Sequence, residues 1–222
     1  MGSRNLDFLD GYILRVMVEI LKSEGAAAGL YNYYEARVHG GCALSPYDRM
    51  VFDFALSHFS PDSRRVVHAG IGIGTLTSSL AVAGYHIAGI ERDGPRMRVA
   101  TRLREAIVDA WPPVAERYEL LLGGFPEIVE GTPWMDTGTV LIFTNCGAGW
   151  NDELTTLVVS SLPRFGDVIF DARLFGRVRD SDVERRELVQ QVKDQRLTVT
   201  PIAESPPNCF YHHASRPGSG ST

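Results

Sequence analysis

The sequence predicts an α/β fold. Seven strands form a mostly parallel, doubly wound sheet with helices on both faces, an antiparallel C-terminal hairpin and an N-terminal helical cap. Three observations predict it. From residue 64 onward, short runs rich in Val and Ile alternate with helical segments, the pattern of a largely parallel sheet. A glycine-rich turn, Gly70-Ile71-Gly72-Ile73-Gly74, sits between the first of these runs and the helix that follows it. The last two apolar runs are joined by a stretch too short for a crossover, so that pair must be antiparallel.

The elements follow in order. Leu6, Leu9, Ile13, Val16, Met17, Ile20 and Leu21 recur at helical spacing, an amphipathic helix over 6–23 that stops near Gly25. Residues 30–45 hold Tyr31, Tyr33 and Tyr34 beside Glu35, Arg37 and His39, and break at Gly40-Gly41. Two readings of this stretch stay open: a half-exposed loop packed by its own aromatics, or a wall of a ligand pocket. Ser45-Pro46 starts a helix that runs to about His58, with Ser45 as N-cap and Pro46 at the first helical position. Strands then fall at 66–69, 85–90, 118–122, 139–144, 167–170, 197–202 and 209–213. Helices fall at 75–83, 95–110, 152–161 and 182–192. Three regions result: a cap over 1–45, a sheet domain over 46–213 and a small, polar tail over 214–222.

Composition narrows the function classes. The chain has 222 residues, 44% of them hydrophobic and 22% charged, with net charge −5. It is therefore a folded globular protein. A basic surplus that would grip a phosphate backbone is missing, so nucleic acid is disfavoured as a partner. The three cysteines, Cys42, Cys146 and Cys209, are widely spaced and form no CxxC pair. That fits a reducing, cytoplasmic location and argues against a disulfide scaffold or a structural zinc site. No metal-ligand spacing such as HExxH occurs, and no uncharged apolar run reaches membrane-span length. Glycine is the one unusual count, at 22 residues.

The glycines at 70, 72 and 74 carry the chemistry. They follow a strand and open a helix, where glycine lets the chain turn sharply and approach a ligand. Glu91, at the end of the next strand, is placed to accept hydrogen bonds from two ribose hydroxyls. The dinucleotide fingerprint G-x-G-x-x-G is not met, because Thr75 stands where its third glycine would be. A nicotinamide-dependent oxidoreductase is disfavoured for that reason. No Gly-Lys-Ser/Thr of a phosphate-binding loop occurs.

With HAGIGIG followed by GYHIAGIERD, the sequence resembles the class I S-adenosylmethionine-dependent methyltransferases. The layout over 45–213 agrees, while the specific motifs lie within 66–93. The resemblance implies a Rossmann-like seven-stranded sheet, S-adenosylmethionine as cofactor, and methyl transfer to a small-molecule acceptor, nitrogen before oxygen. It implies that Gly70, Gly72 and Gly74 line the methionine part of the cofactor. Glu91 would hold the ribose, and Arg92 and Asp93 would lie near the adenine. His68 stands where the family usually carries an acid, either contacting ligand or as a satisfied buried histidine. Gly124 and Phe125 follow the third strand, where the family often has Asp or Asn. Phe125 then offers either an adenine platform or core packing. After the fourth strand, Asn145 and Trp150 are the residues expected to orient an amine acceptor, with Tyr34 from the cap. Cys146 reads as a small buried residue. Asp171 and His212 or His213 are secondary candidates, the histidines more readily placed on a solvated edge strand. Two further functions stay open on the same fold: aminocarboxypropyl or aminopropyl transfer, and a catalytically inactive cofactor-binding scaffold. A homodimer is compatible with this reading.

Overall fold

The computed structural model describes residues 3–25, 29–143, 151–171, 182–202 and 211–217. Seven strands form one sheet: β1 (Arg65–Ala69), β2 (His86–Glu91), β3 (Tyr118–Leu122), β4 (Thr139–Phe143), β5 (Asp167–Asp171), β6 (Thr198–Pro201) and β7 (Tyr211–Ser215). Their spatial order is β3-β2-β1-β4-β5-β7-β6. The first five run parallel, and β7 is antiparallel to both β5 and β6. The final hairpin therefore inserts β7 between β5 and β6. The chain reverses its direction of travel at β1, which lies between β2 and β4, and that is the crevice where ligands bind in open α/β sheets.

The helices are α1 (Ser3–Ile20), α2 (Leu30–Gly40), α3 (Pro46–His58), α4 (Thr75–Val82), α5 (Gly94–Ala110), α6 (Asp152–Ser161) and α7 (Asp182–Asp194). Alternation along the central strands explains the two-sided core. Val66, Ile87, Val140 and Ile142 pack with residues of α1, α3, α4 and α5 on one face. Val67, Ala69, Ala88, Leu141 and Phe143 pack with residues of α6 and α7 on the other. Strands β4 and β5 are buried along their whole length, so they read as continuous apolar runs.

The predicted stripe of α1 is the buried one: Leu9, Ile13, Val16, Met17 and Ile20 face the core. The helix lies against α5, where the Tyr12 hydroxyl donates to the Ala106 carbonyl at 3.1 Å. Its last turn widens into a π-turn over Leu21–Gly25 before the chain breaks from the helix.

Residues 30–40 depart from the loop reading: they form the helix α2. Glycines in the left-handed region bound it, Gly29 at φ +68° and Gly41 at φ +69°. Its apolar residues do not recur along one stripe, so periodicity is mute there. Position is set by anchors instead. Asp10 of α1 accepts the backbone N–H groups of Ala43 and Leu44, each at 3.1 Å, which pins the segment leaving α2. The tail also departs in part from expectation, because Ala214 and Ser215 belong to β7.

Helix α3 begins where Ser45-Pro46 placed it, with a full capping box. Ser45 Oγ accepts the Asp48 N–H at 3.1 Å, and Asp48 Oδ2 accepts the Ser45 N–H at 3.3 Å. Replacing Ser45 with Ala should lower stability by about 1 kcal/mol. Urea unfolding reads this directly, and an unchanged midpoint would show that the cap contributes nothing.

Candidate cofactor site at the end of the first strand

The site is built on the turn between β1 and α4. Gly70, Gly72 and Gly74 have φ of +74°, +60° and +81°, a region that strains any L side chain. Hydrogen bonds tie this turn to the end of β2. The Gly70 and Ile71 N–H groups both donate to the Ile90 carbonyl, at 2.8 and 3.1 Å. The Gly72 N–H donates to Glu91 Oε2 at 2.9 Å, and the Asp93 N–H donates to Glu91 Oε1 at 2.9 Å.

Glu91 thus bridges the glycine turn and the start of α5 while only 5% exposed. A carboxylate offers about four acceptor positions, so those two amides leave capacity for hydroxyl donors. These free acceptor positions fit a group that carries a vicinal diol, whose hydroxyls donate.

Gly74 is required from below as well. A Cβ there would meet the Tyr118 hydroxyl at 3.1 Å. That hydroxyl shares a 3.2 Å hydrogen bond with Ser78 Oγ, and burial pushes its pKa up to about 12. Tyr118 is therefore a neutral packing residue beneath the turn.

His68 lies on β1, on the face that packs α4. It is 2% exposed, and its Nδ1 shares a 2.9 Å hydrogen bond with Thr77 Oγ1. Burial lowers its pKa to about 3, so the imidazole is neutral at physiological pH. It also lines the small cavity above the turn, so burial and proximity to the site hold together.

Helix α2 closes over the glycine turn. A Cβ on Gly72 would meet the Tyr34 hydroxyl at 2.5 Å. The Arg37 guanidinium sits 5.1 Å from the Tyr34 ring centre, pairs with Asp48 Oδ2 at 2.9 Å and donates to Thr75 Oγ1 at 3.1 Å. Between these groups remains a cavity of about 30 Å³, lined by Tyr34, Arg37, Asp48, His68, Gly72 and Thr75 among others. Ligand pockets commonly measure ~300–1,000 Å³, so with α2 in this position the cavity is smaller than a nucleoside.

The other expected residues are spread more widely. Arg92 and Asp93 are exposed, and the Asp93 side chain is spent as the N-cap of α5, accepting the Arg96 N–H at 2.9 Å. Gly124 is exposed just beyond β3. Phe125 is 7% exposed and packs edge-on against Phe143 at 5.0 Å, in the core on the α6 face. Asn145, Cys146 and Trp150 lie outside the described residues. Asp171 ends β5 fully buried, opposite Tyr211.

The histidine pair requires a correction. Strand β7 is not an edge strand, and His213 reaches Asp167 at the start of β5, with Nε2 to Oδ1 at 2.8 Å. Arg64 holds the other oxygen of Asp167 at 3.0 Å, and Phe54 and Phe59 flank the imidazole. This cluster lies at the end of the sheet away from the glycine turn, because parallel strands present their carboxyl ends together. His213 is an anchor of the hairpin and no part of the crevice. His212 stacks on Phe170 on the opposite face.

Asp48 is the residue that sequence reasoning missed. It completes the Ser45 capping box in the structure, and nothing local in the sequence signals that the same carboxylate lines the cavity at the glycine turn.

Comparison with solved structures gives the fold class. The structure is similar to a TehB-like S-adenosylmethionine-dependent methyltransferase from Corynebacterium glutamicum, at TM-score 0.56 and 11% identity, covering 86% of this chain and 96% of that one. It is similar to magnesium protoporphyrin IX methyltransferase from Synechocystis with bound S-adenosylmethionine, at TM-score 0.55 and 14% identity, covering 77% and 78%. It is also similar to the glycopeptide N-methyltransferase MtfA complexed with sinefungin, at TM-score 0.53 and 13% identity, covering 78% and 86%. The fold is that of the class I S-adenosylmethionine-dependent methyltransferases. No protein-family model matches the chain, and no curated protein matches it. Among the described residues, no helix is long and apolar enough to cross a membrane, and no cluster of three metal-ligating side chains occurs.

The buried His68 makes a pH prediction. A histidine held neutral in the fold takes up its proton only on unfolding between about pH 6.5 and about pH 3. Stability should therefore fall as pH drops through that window, by roughly 2–3 kcal/mol between pH 7 and pH 4.5. In His68→Gln that part of the slope should vanish. Urea unfolding at several pH values checks it, and parallel profiles for the two proteins would contradict it.

Proposed function

We propose that this chain binds S-adenosylmethionine and transfers its methyl group to a small-molecule acceptor, nitrogen before oxygen. One observation carries the reading. On a class I methyltransferase fold, a positive-φ glycine turn and a buried Glu91 converge where the strand order reverses. The cofactor would supply an activated methyl on a sulfonium, so the protein's work is positioning and exclusion of water.

The chain's residues divide that work. Gly70, Gly72 and Gly74 let the backbone come close to the methionine and sulfur. The unused acceptor positions of Glu91 take the ribose hydroxyls, while its bonded ones keep the turn in shape. Arg92 and Gly124 border the adenine end, while Phe125 packs in the core behind them. Asn145 and Trp150 orient the acceptor, with Tyr34 covering the turn from α2. The neutral His68 beneath the turn supplies packing and a hydrogen bond to Thr77 in place of a negative charge. A net charge of −5 supports a small-molecule acceptor over nucleic acid. A cytoplasmic location and a homodimer are compatible with this reading.

The uncharged His68 favours one second reading on the same fold. If it shifts the sulfonium within the site, aminocarboxypropyl or aminopropyl transfer competes with methyl transfer. The released product separates the two, S-adenosylhomocysteine for methyl transfer and methylthioadenosine for the alternative.

Calorimetric titration with S-adenosylmethionine and S-adenosylhomocysteine should give saturable binding. Glu91→Ala should weaken it by ~1–3 kcal/mol, the scale of hydrogen bonds to a charged group. No binding at millimolar ligand would remove the proposal and leave a scaffold without cofactor.

A further inference from the structure

We propose that the outer edge of β3 takes up an extended peptide segment of alternating acidic and apolar residues, added to the sheet as a further strand. This does not depend on the cofactor reading above.

β3 is the last strand on its side of the sheet, and among the described residues no strand pairs with its outer edge. The Ile87 N–H donates to the Arg117 carbonyl at 2.7 Å, and the Gly123 N–H donates to the Glu91 carbonyl at 3.0 Å. The parallel ladder therefore turns the amides and carbonyls of Tyr118, Leu120 and Leu122 outward. Such a row is a template for another chain, and proteins blunt it with Pro, Lys or a covering element. The opposite edge, β6, ends in Pro201. β3 reads Tyr118-Glu119-Leu120-Leu121-Leu122, with neither Pro nor Lys, and Leu122 is 59% exposed. The connection from β3 to β4 also brings no α-helix, only a tight helical turn over Glu127–Val129.

A cavity of about 480 Å³ lies along this edge. Two guanidiniums on its wall are held by backbone carbonyls. Arg104 donates to the Tyr118 and Ala115 carbonyls at 2.7 and 3.3 Å, and Arg117 donates to the Pro113 and Gly84 carbonyls at 3.1 and 3.4 Å. Neither pairs with a carboxylate among the described residues, and each keeps N–H donors to spare. Glu116, Glu119 and His86 share the wall, and Glu119 accepts the Trp134 indole N–H at 3.0 Å. Because Arg104 covers the Tyr118 carbonyl, Leu120 and Leu122 supply the open groups of the edge.

Side chains of an added strand alternate between the two faces of the sheet. On the α5 face, Leu120 packs with Ile71, Met97 and Ala100, and added side chains come against Thr101 and Arg104. On the other face they meet Leu121, Ile128 and Trp134, which are only partly buried. Carboxylates suit the first row and apolar side chains the second, while main-chain hydrogen bonds to β3 hold the segment. Two other occupants fit less well. A nucleic-acid phosphate would accept from the outward amides but face the Leu120 and Leu122 carbonyls with no proton to give. A second copy paired edge to edge would bring together two α5 helices, each carrying Arg96, Arg98, Arg102 and Arg104 against Glu105 and Asp109.

The probes are two short peptides with blocked ends, one alternating Glu and Val, the other Gln and Val. Fluorescence anisotropy with the full chain should show the Glu peptide binding about tenfold more tightly or better, the worth of one charge-assisted hydrogen bond. Hydrogen exchange across residues 118–122 should slow when it binds. Arg104→Gln and Arg117→Gln should each remove much of the preference for Glu, and unchanged exchange in the other strands shows that the variants are folded. Equal affinity for the two peptides, or no binding of either, would overturn the proposal. So would binding that leaves residues 118–122 unprotected, because the charges would then be meeting elsewhere. A single-stranded oligonucleotide that protects the same amides better than the peptide would overturn it in favour of nucleic acid. A dimer in sedimentation with those amides already protected would overturn it in favour of a second copy.

Discussion

The bridge made by Glu91 is the constraint on which the site depends. One carboxylate at the end of β2 holds the Gly72 amide with one oxygen and the Asp93 amide with the other. The first bond shapes the glycine turn and the second shapes the entry to α5. Burial makes the first bond demanding, since the Gly72 amide left unpaired there would cost ~1–3 kcal/mol. Glycine makes the three positive φ values accessible, and the Glu91 carboxylate fixes the turn in that shape. A residue whose pattern suggests ligand recognition alone proves to be structural first, with acceptor capacity to spare.

The same economy appears at Asp48. It completes the capping box of α3 with Ser45 and pairs with Arg37 of α2. Helix α2 is thereby tied to α3, and through Thr75 to α4, while the Tyr34 hydroxyl rests over Gly72. These contacts join the cap to the sheet beside the glycine turn. They also explain why the cavity is small. The polar groups that line it, Arg37, Asp48 and Thr75, satisfy one another across it.

Other polar pairs serve the frame alone. His213, Asp167 and Arg64 lock the final hairpin to the start of β5, at the end of the sheet away from the site. Tyr85, fully buried before β2, has its hydroxyl shared between the carbonyls of Ala55, in the last turn of α3, and Phe59, just beyond it. Ionisable or aromatic groups in these positions look functional in a sequence. Only their place along the strands distinguishes them.

What the sequence determined by itself was local in origin. Alternating apolar runs placed the seven strands to within a residue or two, and Ser45-Pro46 placed the start of α3. Glycine spacing marked the turn after β1, and the stripe from Leu9 to Leu21 identified the buried face of α1. Each of these follows from periodicity or backbone freedom, which neighbouring residues set. The tertiary structure decided the rest. It made residues 30–40 a helix without an apolar stripe, because contacts from Asp10, Asp48 and Thr75 hold that segment in place. It moved β7 inside the sheet and turned His213 into a structural anchor, because strand order is a long-range choice. It gave Glu91 and Asp48 their second partners, because those hydrogen bonds join positions 19 and 11 residues apart that no local pattern couples.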